Sequence, residues 1–336
     1  MTELRKRLFV DEWVVIAPER AERPRQLDLS LASNDGPCPF CPENSDVTPP
    51  TIDTWPSPAF DDEPWGVRAI PNKFPALRVE EQPHFDADDP ASPYRRRPGI
   101  GAHEVIVEAP DHVTGWHELS VSHLARIFGA WQDRIDDLRG DERLEAAVVF
   151  KNHGARAGAT LAHTHSQLVA LPLVPPQLHR ELTGARQYFE DHDDCALCAM
   201  IDFEQSKQGQ RIVVEHDDAV AICPFGSRTA FETWIAPVDH RGDFSTADES
   251  QLEAIAELTA SILDRWRQAI GPVAYNLILH SLPFDLAGEP YYHWHLEFIP
   301  RIGQVAGFEW GSDMFINATP SEVAARHLRT LDTHPD

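Results

Sequence analysis

Two Cys-x-x-Cys pairs, Cys38/Cys41 and Cys195/Cys198, and two His-x-His pairs, His163/His165 and His293/His295, are the side chains best suited to chemistry in this sequence. Two thiolates from one tight turn, joined by two imidazoles from elsewhere, meet the four-ligand requirement of a zinc ion. An imidazole whose one ring nitrogen donates to a fixed acceptor keeps the other unprotonated and can attack phosphorus. In a reducing compartment, paired cysteines at this spacing favour metal over disulfides. The fifth cysteine, Cys223, has no evident partner and reads as a small buried apolar residue.

These groups recur in a fixed order. After Cys38/Cys41 a strand-like segment 104–108 leads into Ala109-Pro110-Asp111-His112, and after Cys195/Cys198 the segment 231–235 leads into Ala236-Pro237-Val238-Asp239-His240. Each is followed by a helical pattern. Leu124, Ile127, Phe128, Trp131, Ile135 and Leu138 share one face of the first, capped by Ser122; Leu252, Ile255, Leu258, Ile262, Leu263 and Trp266 share one face of the second, capped by Thr246 or Asp248. Apolar strands 146–150 and 274–279 follow, and each half ends in its His-x-His, 51 residues after His112 and 53 after His240. The pattern predicts two copies of one α+β unit, meeting where Leu-Pro-Leu-Val-Pro-Pro (171–176) interrupts it, so the expected units are 1–176 and 177–336. Trp13–Ile16 reads as an extra strand.

The repeat selects which of the 17 histidines join the thiols, because each holds the same relative place in its unit. The expected sets are Cys38, Cys41, His112 and His163, and Cys195, Cys198, His240 and His293. Both are closed, which points to about two structural zinc ions per chain. A competing set for the second half is Glu181, His280, His293 and His295, an oxygen–nitrogen site suited to iron or zinc.

The stretch 150–170 carries the reactive pattern. On a strand His163, His165 and Gln167 share one face. Upstream, Gly154, Gly158 and Thr160 form a loop whose backbone N–H groups can cradle a phosphate opposite the histidines. Lys151, His153, Arg156 and His280 stand as neighbours of this site or as solvated loop residues.

Composition bounds the rest. The chain has 336 residues, of which 42% are hydrophobic, enough for two cored units. A formal charge of −25 argues against a nucleic-acid partner but permits a small phosphorylated substrate held by a local cluster of donors. No apolar run approaches membrane-spanning length, and residues 1–12 lack an apolar leader core, so the expectation is a cytoplasmic protein without a membrane partner.

Residues 150–170, with their His-x-His-x-Gln, resemble the active-site strand of the galactose-1-phosphate uridylyltransferase family, a branch of the histidine-triad superfamily. The resemblance extends to Trp13–Pro24, to Asn72-Lys-Phe-Pro-Ala-Leu77 and to Cys38/Cys41, Asp111-His112 and His163, and so covers nearly the whole chain. It implies an α+β fold of two tandem histidine-triad-like repeats, each an antiparallel sheet with helices packed on it. It also implies a homodimer and ping-pong transfer of a nucleoside monophosphate between a nucleotide sugar and a sugar 1-phosphate, with UDP-glucose and galactose 1-phosphate as the expected pair. Carried over by position, His165 is the nucleophile and Gln167 holds the phosphoryl oxygens. Asn152, Gly158 and Thr160 contact phosphates, while Arg20, Arg23 and Asn72 contact nucleotide or sugar phosphate. Gln167 stands where histidine-triad hydrolases have a third histidine, which favours transfer over hydrolysis. Ala159 and Lys73 depart from the common uridylyltransferase pattern, and residues 305–317 look more like the tail of the plant ADP-glucose phosphorylases. An adenylyl-transferring phosphorylase is therefore the alternative, and a zinc-stabilised nucleotide-binding protein without turnover the second.

Overall fold

The computed structural model describes residues 3–8, 10, 13–16, 37–80, 98–206 and 209–331. Two short strands, β1 (Glu3–Lys6) and β2 (Trp13–Ile16), precede the first repeat, which contributes β3 (Asp53–Trp55), β4 (Val67–Pro71), β5 (Ala102–Val107), β6 (Ala146–His153) and β7 (His165–Leu171). The second contributes β8 (Ile212–Glu215), β9 (Ala219–Ile222), β10 (Thr233–Pro237), β11 (Tyr275–His280) and β12 (His295–Pro300). All ten strands of the repeats join one antiparallel sheet in the order β3-β4-β5-β7-β6-β11-β12-β10-β9-β8. The second five mirror the first five, so β6 and β11 meet across a pseudo-dyad.

The register makes the duplication exact at residue level. One row of the sheet runs Ile70, Val105, Gln167, Phe150, Ile278, Glu297, Trp234, Ile222. Phe150 therefore faces Ile278, the residue at its own place in the other repeat, and Gln167 corresponds to Glu297.

The two predicted helices are α1 (Val121–Arg139) and α4 (Glu249–Ile270), and they pack side by side on one face of the sheet. Their apolar stripes are buried as the periodicity requires, with Leu124, Ile127, Phe128, Trp131, Ile255 and Ile262 fully enclosed. Each such side chain contributes roughly 1.5–3 kcal/mol. Asp248 caps α4 in a reciprocal capping box with Gln251. The cap of α1 is Ser120 rather than Ser122: Ser120 has the extended backbone a cap needs and accepts from His123 N–H, whereas Ser122 already lies in the first turn.

The opposite face differs between repeats. In the second, α2 (Pro176–His192) and α3 (Ala196–Ser206) cover it, burying Leu182, Ala185, Leu197 and Ile201 against Trp234 and Ala236. In the first, Phe40 and Trp65 pack on Ile70, Val105 and Val107, and among the described residues no helix covers that face. The chain closes with α5 (Gly307–Ser312), β13 (Phe315–Asn317) and α6 (Ser321–Arg329). β13 pairs in parallel with β2, which pairs with β1, and a buried Arg5 bridges β1 to Glu322 of α6 at 2.9 Å. Among the described residues no helix is long and apolar enough to cross a membrane.

Candidate active site and metal-binding groups

His165 opens β7 on the uncovered face of the first repeat and is almost wholly buried. Its Nδ1 lies 2.8 Å from the carbonyl oxygen of His163. A carbonyl only accepts, so Nδ1 carries the proton and Nε2 has the free lone pair. Burial pushes the imidazole below its ordinary pKa; the His163 carbonyl opposes this and the Lys151 ammonium adds to it. The ring is therefore neutral at pH 7, with one nitrogen ready to act as a nucleophile. Phe40 packs edge-on against it at 5.2 Å.

Gln167 lies two residues on, on the same face. Its Oε1 is 2.9 Å from Nε2 of His103 on β5, and Asn72 Nδ2 is 3.1 Å from that same nitrogen. His163 precedes β7, so the shared-face expectation holds for His165 and Gln167 while the His163 ring turns away towards the thiols. The loop proposed to cradle a phosphate is built around a short 3-10 turn, Ala155–Ala157, with Gly154 at φ 81° and Gly158 at φ 92°, values that favour glycine. Thr160 is exposed beyond it. Asn152 is oriented across the pseudo-dyad: Asn276 Nδ2 donates to Asn152 Oδ1 at 2.7 Å and to the Ala157 carbonyl at 2.9 Å, leaving the Asn152 amide N–H groups for the loop side. Arg20 and Arg23 lie outside the described residues.

Lys151 is not a solvated loop residue. It is 1% exposed, donates to Glu108 and to Thr164 Oγ1 (2.8 Å), and reaches the carbonyl of His165 at 3.1 Å. His153 is likewise buried, stacked on Tyr275 at 4.8 Å. Sequence reasoning missed His103, Asn276 and Glu108. His103 had one available signal, a polar residue in step with Val105 and Val107 on an otherwise apolar strand face.

Both predicted thiol–imidazole sets assemble. Cys38, Cys41, His112 and His163 bring their ligand atoms within 4.8 Å of one another, as do Cys195, Cys198, His240 and His293. The Sγ–Nδ1 separations are 3.3–3.6 Å in the first and 3.4 Å in the second. Tetrahedral zinc with ordinary bond lengths requires about 3.6 Å. The ring pairs also match: His112/His163 at 5.1 Å and 84°, His240/His293 at 5.2 Å and 73°. His163 Nε2 donates to the Ala109 carbonyl at 2.8 Å, which turns the bare Nδ1 towards the thiols. Burial and then the adjacent Cys38 push the Cys41 thiol up to about 12, so that thiol resists ionising by itself, a balance that a divalent cation reverses. The donor set fits a metal.

The competing set does not assemble. His293 Nδ1 is directed at Cys198, and His280 is held between Glu181 at 3.0 Å and Glu297 at 3.2 Å. Burial works against the His280 charge, but the two carboxylates outweigh it and raise its pKa to about 9, so that with Arg228 on Glu297 the cluster balances its charges without an ion. This is also why the second repeat is closed. Glu297, the counterpart of Gln167, pairs with Arg228 at 2.5 Å, and His295, the counterpart of His165, is stacked on His280 at 4.5 Å beneath α2. Cys223 is fully buried, as expected.

A family model described as "Galactose-1-phosphate uridyl transferase, N-terminal domain" matches residues 1–175, and a Domain of unknown function (DUF4921) matches 101–336. The chain is 31% identical to an ADP-glucose phosphorylase of Arabidopsis thaliana over 98% of its length and 93% of the relative's. It is 25% identical to a galactose-1-phosphate uridylyltransferase of Thermotoga maritima over 99% of both. Its fold superposes on a crystal structure of an Arabidopsis ADP-glucose phosphorylase with bound ADP-glucose at a TM-score of 0.84, 29% identity, covering 99% of this chain and all of that one. It also superposes on a uridylyltransferase at 0.74, 25% identity and 98% of both chains.

Proposed function

The chain belongs to the galactose-1-phosphate uridylyltransferase family, and we propose that it is a hexose-1-phosphate nucleotidyltransferase working through a covalent nucleotidyl group on His165. The observation that carries this is the Nδ1–H of His165 donating to the His163 carbonyl, which leaves Nε2 unprotonated on the strand face that His165 shares with Gln167. In the first half-reaction Nε2 attacks the α-phosphorus of the nucleotide sugar, the bond to the bridging oxygen breaks, and hexose 1-phosphate leaves with the electron pair. A phosphate leaving group needs no proton from a general acid. In the second, a phosphate oxygen of the acceptor attacks the same phosphorus and Nε2 departs. Gln167, having no titratable group, orients phosphoryl oxygens without activating water.

In this reading Asn152, Gly158 and Thr160 hold phosphates, and Arg20, Arg23 and Asn72 hold the nucleotide or the sugar phosphate. The substrate pair is UDP-glucose and galactose 1-phosphate, giving glucose 1-phosphate and UDP-galactose. About two zinc ions per chain brace the two repeats, 1–176 and 177–336, and the protein works as a cytoplasmic homodimer. A second reading, adenylyl transfer from ADP-glucose to inorganic phosphate, is favoured by the 31% identity with ADP-glucose phosphorylase.

One experiment separates these readings. The protein is incubated with UDP-glucose or ADP-glucose labelled at the α-phosphorus, and acid-labile protein-bound label is measured. Label from UDP-glucose supports uridylyl transfer, label from ADP-glucose the second reading, and label from neither a binding protein without turnover.

A further inference from the structure

We propose that His103 is a positioning residue that sets the orientation of the Gln167 amide and links it to the turn Asn72–Leu77; this rests on the nucleotidyl-transfer reading of the site. The imidazole sits on β5, two residues from Val105, the residue paired with Gln167, and so on the same face as the reactive groups. Its Nδ1 is 3.1 Å from the backbone N–H of Ala76, which can only donate. Nδ1 is therefore the acceptor nitrogen, and in the neutral ring the proton lies on Nε2. That Nε2–H donates to Gln167 Oε1 at 2.9 Å. With its oxygen engaged, Gln167 directs its two amide N–H groups away from His103, the orientation that suits an anionic phosphoryl group. Turned by 180°, the same amide would set N–H against N–H at His103 and oxygen against the phosphate.

The turn is attached at the same residue. Asn72 N–H donates to the His103 carbonyl at 2.7 Å, and Phe74 N–H donates to Asn72 Oδ1 at 2.9 Å; Asn72 Nδ2, itself a donor, stands 3.1 Å from the protonated Nε2 and makes no hydrogen bond to it, so the turn is held by the backbone N–H groups of Asn72 and Ala76. One histidine thus ties two segments that the family resemblance assigns to nucleotide and phosphate. Neither tie needs a charge on the ring.

The test uses the full-length protein and two readouts. In the first, His103→Leu frees the Gln167 amide to rotate, and the single-turnover rate of label transfer to the protein falls roughly 10- to 100-fold, below the loss expected for removing a transition-state donor outright. His103→Gln keeps a donor for Gln167 and an acceptor for Ala76, and retains activity within about 5-fold. Because His103 acts through Gln167, His103→Leu added to Gln167→Ala costs nothing further. A role in folding alone would make the two losses multiply, and that result overturns the proposal, as would a His103→Gln variant no better than His103→Leu. The second readout is imidazole 15N NMR of histidine-labelled protein, which requires no turnover. The expected result is an Nε2-protonated His103 whose Nε2–H resonance broadens by solvent exchange in Gln167→Ala. An Nδ1-protonated ring, or an Nε2–H indifferent to Gln167, refutes the positioning role. A protein that takes no label from any nucleotide sugar, with the NMR result as expected, refutes the transfer reading and leaves the contact standing.

Discussion

Replacing Lys151 by Met tests the electrostatics beside the start of β7. Lys151 is 1% exposed and Glu108 fully enclosed, and the ammonium donates to Glu108 Oε2, to Thr164 Oγ1 at 2.8 Å and to the His165 carbonyl at 3.1 Å, with the Trp116 ring 5.0 Å away. Glu108 Oε2 also accepts from Trp116 Nε1 at 2.7 Å and Thr164 Oγ1 at 2.6 Å, while Oε1 has no partner among the described residues. Lys151→Met keeps the length of the side chain but leaves a buried carboxylate with two neutral donors and no counter-charge. Removing one partner of a buried pair costs about 3–5 kcal/mol. Lys151→Met/Glu108→Gln removes both charges and leaves a neutral amide for the same donors, so it recovers most of that loss. The assay is urea unfolding followed by tryptophan fluorescence in saturating zinc, comparing midpoints at equal m-value. A loss below about 1 kcal/mol in the single variant, or a double variant less stable than the single, would mean that the pair does not carry the charge balance assigned to it.

Four other outcomes are expected. Elemental analysis finds about two zinc ions per chain; Cys195→Ser/Cys198→Ser loses one and keeps the other, and chelation lowers Tm. His165→Ala abolishes label transfer but keeps zinc and fold, whereas His163→Ala loses zinc and stability together; equal zinc loss in both would reverse the two roles. Rapid-quench measurement with nucleotide sugar alone shows a burst of at most one equivalent of sugar 1-phosphate per site, and continued turnover without acceptor would identify a hydrolase. The pH dependence has a definite sign. Because the folded state holds His165 below the ordinary imidazole value of about 6.5, Nε2 stays unprotonated, and label transfer remains flat as pH falls through that value, declining only at lower pH. Over the same interval the unfolded chain takes up a proton that the folded ring refuses, so the stability contributed by this histidine is present above pH 6.5 and drains away as pH falls.

The strand–helix–strand order within each repeat, the helix stripes, the glycine loop 154–158 and both thiol–imidazole groups were legible in the sequence because each is either local or repeated. Helical periodicity exposes a buried face without reference to any partner, as at Leu124–Leu138. Duplication did the same for long-range ligands: His112 lies 71 residues from Cys41, yet its place in the unit is copied by His240. The sequence misplaces the α1 cap by two residues because Ser120 and Ser122 both suit a cap and only backbone geometry chooses between them. Tertiary structure alone decided which side chains meet across strands. His103 and Gln167 are 64 residues apart, Asn152 and Asn276 are 124 apart, and Lys151 and Glu108 are 43 apart, and nothing local marks any of them as partners. Strand register pairs them, and register is set by the whole sheet, since a slip of one residue would turn every one of these side chains to the other face. The same holds for the closure of the second repeat over its His-x-His. Its His-x-His was as conspicuous in sequence as the first, but α2 lies over it and brings Glu181, 99 residues away, against His280, so that side-chain charges occupy the space that the first repeat leaves open.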